Sequence, residues 1–68
     1  MTPLQRRMIE QVDRALHDQG ITGRTLAIRA GITEKHLSQI RQGHATGSLD
    51  VWQRLATGLG RTWRVTLE

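Results

Sequence analysis

Apolar side chains recur every three or four residues through most of this chain and every second residue only near its end, a change of period that separates helical from extended structure. Leu4, Met8, Val12, Ala15 and Leu16 form the first helical series, with Gln5, Arg6, Arg7, Asp13, Arg14 and Asp18 on the other side. Thr2, Pro3 and Gln5 read as a cap, a first helical residue and the far member of a capping box. The pattern predicts a helix from there to about Gln19, stopped by Gly20.

Between Thr22 and Gly43 the pattern tightens into two short helices joined by a turn. Thr22 caps the first, and Ile21 before the cap with Leu26 inside it can close a hydrophobic staple. Gly31 suits the left-handed conformation at that helix's C-terminus. Thr33 caps the next helix, and Ile32 with Leu37 repeats the staple. Leu26, Ile32, Leu37 and Ile40 supply the apolar contacts such a pair needs, and Ala27 is small enough for a close crossing. The second of these helices must then turn Glu34, Lys35, Ser38 and Gln39 outward, with His36 to one side and Gly43 as its end.

The loop 42–47 is small and polar. Ser48 opens a fourth helix with Asp50 in its first turn, where a negative charge meets the positive end of the dipole. Trp52, Leu55, Ala56 and Leu59 share one face; Gly58 reads as a weak point near the end, and Gly60 as the stop. From Arg61 to Glu68 the side chains alternate, with Trp63, Val65 and Leu67 on one side, which predicts a strand. A lone strand leaves its backbone unpaired, so the expectation is a homodimer made by antiparallel pairing of two such tails through Trp63, Val65 and Leu67. The alternative is an extended tail packed on its own domain, with Trp63 covering the core. The organisation expected is a helical domain over 1–60, containing a reading unit at 22–43, and a dimerisation strand over 61–68.

With 68 residues there is room for one small core and no second, catalytic domain. No apolar run approaches the roughly 20 residues of a membrane span, and no leader pattern opens the chain, so a cytoplasmic protein without membrane contact is expected. Without Cys there are no disulfides or thiolate metal sites. His17, His36 and His44 lack ligand spacing, and no nucleophile and base can be placed together; no metal, no cofactor and no enzymatic activity are expected. A net charge of +4 arises almost wholly from Arg, since Lys35 is the only lysine. The planar guanidinium fork suits phosphate.

Thr22, Leu26, Ala27, Gly31, Ile32, Thr33, Leu37, Ser38, Ile40 and Gly43, followed by the segment SLDVWQRLATGLG, together resemble the Cro/repressor-type helix-turn-helix family, also called the xenobiotic-response-element family. The resemblance covers residues 22 to 60. It implies a mainly α, four-helix domain of the lambda-repressor-like type that binds double-stranded DNA through the major groove. Its base-reading positions fall on Glu34, Lys35, Ser38 and Gln39, with His36 as a flank contact. Lys35 can donate to guanine, Gln39 can pair with adenine, and Glu34 can accept from cytosine. Backbone contacts fall on Thr22, Arg24, Thr25, Thr33, Arg41, Gln42, His44 and Thr46.

Two positions depart from the family pattern. The Gln that usually follows the first cap is Gly23, which leaves Arg24 to replace its phosphate contact. Many members also pair an Arg near the end of the first helix with a Glu near the end of the third. Here those positions are Leu16 and Arg41, so both partners are absent and Arg41 is expected to reach phosphate. The resemblance thus implies a dimeric transcriptional regulator of a bacterial cell or phage-infected host, first a Cro-like or immunity-type phage repressor on an inverted-repeat operator. An autoregulating antitoxin that also covers a toxin protein is the alternative. A protein-interaction module that has lost DNA binding is the alternative of another class, favoured by Gly23 and Glu34.

Overall fold

Four hydroxyl side chains decide where the helices begin. A computed structural model describes residues 2–63, and in it Thr2, Thr22, Thr33 and Ser48 each hold an extended backbone and accept a hydrogen bond from the N–H three residues on, at 3.0 to 3.2 Å. They open α1 (Pro3–Gln19), α2 (Gly23–Ala30), α3 (Glu34–Arg41) and α4 (Leu49–Leu59). The described residues are all helix and loop.

The turn between α2 and α3 depends on Gly31. Its φ of 71° lies where a residue with a Cβ is strained, and the conformation brings the Ile32 N–H back to the Ala27 carbonyl at 3.0 Å. α3 ends at Arg41, just before the loop expected from 42: Gln42, still right-handed, is the cap, and Gly43 follows with a positive φ as the His44 N–H reaches the Gln39 carbonyl.

The core gathers Val12, Leu26, Leu37, Ile40 and Leu55, all but removed from water, with Ile9, Ala15, Leu16, Ala27, Ala30, Trp52 and Leu59 around them. α2 sits at its centre, packed against α3 and most closely against α4. Gly58 makes that approach possible: a Cβ there would stand 3.1 Å from Leu26 Cδ1 and 3.3 Å from Arg29 Cβ. The residue that reads as a weakness in α4 is thus the place where α2 crosses it.

Val12, Ala15 and Leu16 take the core face expected of them, but the first two turns of α1 are shifted from theirs by one residue. Leu4 is exposed and Met8 only half-buried, while Gln5, Ile9, Val12 and Leu16 run along the core side. The amide of Gln5 decides this. Its Nε2 donates to the Ala45 carbonyl at 3.1 Å, so it ties the loop after α3 to α1 instead of folding back into a capping box; only the Thr2 half of that box forms. At the other end of α1, Gln19 Nε2 donates to the Leu59 carbonyl at 2.8 Å.

The expected strand over 61–68 is not supported. Arg61, Thr62 and Trp63 are not in strand conformation. Trp63, read as a dimer contact, sets its ring edge-on to Trp52 of its own chain with centroids 5.5 Å apart, and its indole N–H donates to the Trp52 carbonyl at 2.8 Å. This is the packing of Trp63 on its own domain that the sequence offered as the alternative to pairing. Val65 and Leu67 lie outside the described residues.

Candidate nucleic-acid interface

The rotation of α3 is fixed by two residues. Leu37 and Ile40 are each 1% exposed, which leaves Glu34, Lys35, Ser38 and Gln39 on the solvent side. These are the four residues the sequence assigns to the outward face, and the structure brings them together there. His36 is half-buried at the flank, and its N–H is held by the Thr33 cap. Among the described residues no carboxylate pairs with Lys35 or Arg24, so both cations face water.

The flanking residues divide by what already holds them. Thr22 accepts from the Thr25 N–H, and the two hydroxyls share a hydrogen bond of 3.2 Å, so this pair is ordered around the start of α2. The first N–H groups of α2 have no intrahelical acceptor. Gln42 Nε2 donates to Ser38 Oγ at 3.2 Å, one helical turn back, which links an expected backbone contact to an expected base contact. His44 and Thr46 are exposed on the loop before α4.

Arg41 departs from expectation. It is not free: its Nε donates to Asp13 Oδ1 at 2.8 Å and its Nη2 lies 2.8 Å from the same oxygen. The link between α1 and α3 therefore exists, with its charges exchanged, the acid on α1 and the base on α3. No signal within α1 would have found it, since Asp13 reads there only as part of the polar side. Gly23 completes the arrangement. A Cβ on it would stand 2.8 Å from Arg41 Nη1, so the guanidinium occupies space that a side chain at 23 would take. Asp13, Ser38, Arg41 and Gln42 line a shallow hollow of about 320 Å³ beside the outward face.

Arg54 is paired with Asp50 at 2.9 Å, and Arg61 with Asp18 at 3.8 Å. A larger groove, about 970 Å³, runs between α1, the end of α4 and Trp63, with no α3 residue in its wall. Among the described residues no group of His, Asp and Glu is placed to hold a metal ion, and no helix is long and apolar enough to cross a membrane. Comparison of the chain with protein-family models, curated proteins and solved structures finds no match.

Proposed function

We propose that this protein is a sequence-specific DNA-binding transcriptional regulator, a repressor of the Cro-like or immunity type that lays α3 in a major groove. The observation that carries the reading is the outward face of α3. Burial of Leu37 and Ile40 leaves an acceptor, a cation, a hydroxyl and an amide in one exposed patch on a helix that follows a tight turn. Side chains of those kinds match the donor and acceptor pattern of base edges. Arg24, Thr25, Gln42, His44 and Thr46 stand around the patch as contacts to the phosphate backbone, which position the helix without specifying sequence. A net charge of +4 supplies the attraction.

An inverted-repeat operator is read by two copies, and we propose a homodimer, joined through the C-terminal tail, that brings two α3 helices to successive grooves about 34 Å apart. Repression then follows from occupying a promoter.

Selection from a pool of random duplexes at two salt concentrations tests the reading. The expected outcome is enrichment of an inverted repeat and binding that weakens steeply with salt. In the same assay Lys35→Ala relaxes the preference at one base pair, at a cost of roughly 1 to 3 kcal/mol of discrimination. An unchanged pool at both salt concentrations overturns the proposal and leaves a helical module that binds protein.

A further inference from the structure

Resting on the DNA-binding reading, we propose that Asp13 holds down the affinity of the interface for duplex DNA of any sequence by withholding Arg41 from the phosphate backbone. The side chain of Arg41 is 37% exposed and that of Asp13 is 51%, so the pair sits at the surface, where a duplex docked on α3 would meet it. Ser38, an expected base contact, shares the hollow with both. Two of the guanidinium's donor groups are committed to one carboxylate oxygen, and its Nη1 is lodged against Gly23 at the start of α2. A phosphate approaching this edge meets a cation whose charge is already paired.

The cost of that arrangement falls on every complex alike. A protein sliding on unrelated sequence is held by phosphate contacts alone, so one withheld cation weakens it directly. A protein in register on its operator makes base contacts as well, and these add to the phosphate term without replacing any part of it. Asp13 therefore lowers the affinity for both by about the same factor, although it touches no base.

The test compares wild type, Asp13→Asn and Asp13→Ser on the selected operator and on a random duplex across a salt series, with folding followed by far-ultraviolet circular dichroism. Asp18→Asn, which removes the same charge from a carboxylate paired to Arg61, controls for net charge. Both Asp13 variants should bind the random duplex roughly three- to fivefold tighter, the size of an exposed ion pair. The slope of log affinity against log salt should steepen by about 0.9, one additional phosphate. Operator affinity should rise by about the same factor, so the ratio of the two stays unchanged. In an Arg41→Ala background the effect should vanish. Unmoved or weakened random-duplex binding in both Asp13 variants, an equal gain from Asp18→Asn, or a gain that persists without Arg41 each overturns this role while leaving the DNA reading in place. A wild-type protein that binds no duplex overturns both.

Discussion

In α2 and α3 the contacts that set orientation are made within five residues of where they begin; in α1 and beyond α4 they reach across the fold. Thr22 and Thr33 cap their own helices, and Gly31 returns the chain from Ala27 to Ile32. By contrast Gln5 holds Ala45, Asp13 holds Arg41, Gln19 holds Leu59 and Trp63 holds Trp52. The first set gives the reading unit its shape. The second ties together the helices and loops around it, one hydrogen bond at a time, with Asp13 alone reaching into the unit itself, and the two should fail differently when perturbed.

The largest effect is expected inside the reading unit. Leu37→Ala removes a side chain that is 1% exposed from the centre of the core and should cost about 2 to 5 kcal/mol, much of what a domain of this size has. Lys35→Ala, two residues away and exposed, should change stability by less than about 0.5 kcal/mol. Urea unfolding followed by tryptophan fluorescence reads both. Comparable losses from the two variants would mean that α3 does not present the face described here.

That contrast also explains what could be read in advance. A cap, a left-handed glycine and apolar residues at helical spacing are local signals, so the limits of α2, the turn, and the burial of Leu37 and Ile40 follow from residues 21 to 43 alone. The face of α1 does not. Leu4 and Met8 fit the helical period as well as Ile9 does, and only the carbonyl of Ala45, distant in sequence, turns Gln5 inward. Asp13 escaped for the same reason: nothing within α1 indicates that Arg41 stands opposite. Trp63 lies in an alternating run, and the period of a run carries no information on whether its partner is a strand edge or the indole of Trp52.

Gly58 sharpens the comparison, because local and long-range terms oppose each other there. Helix propensity alone predicts that Gly58→Ala stabilises α4 by up to about 1 kcal/mol. The added methyl would press on Leu26, which is fully buried, and on the backbone of Ala30 at 3.4 Å, so α2 would have to move. Overpacking of this kind costs typically about 1 to 3 kcal/mol, and the net expectation is a loss near 1 kcal/mol. A gain in the thermal midpoint would show that the crossing of α2 and α4 is looser than its geometry indicates.

A loss of similar size is expected at Trp63, where the two ways of using the chain's end make different predictions. Trp63→Phe keeps an aromatic ring against Trp52 but removes the N–H that donates to its carbonyl, a loss of about 0.5 to 1.5 kcal/mol. If that contact belongs to the folding of one chain, the loss is the same at every protein concentration. If residue 63 works instead in an intermolecular strand, mass action makes the loss depend on concentration. Sedimentation of the full chain beside a chain ending at Trp63 completes the test, since the shorter one keeps the indole contact and lacks only residues 64–68. A shift from dimer to monomer with unchanged unfolding of the monomer assigns pairing to Val65 and Leu67 and support of the core to Trp63. An unshifted boundary removes the tail from the dimer and, with it, the proposed means of placing two α3 helices on one operator.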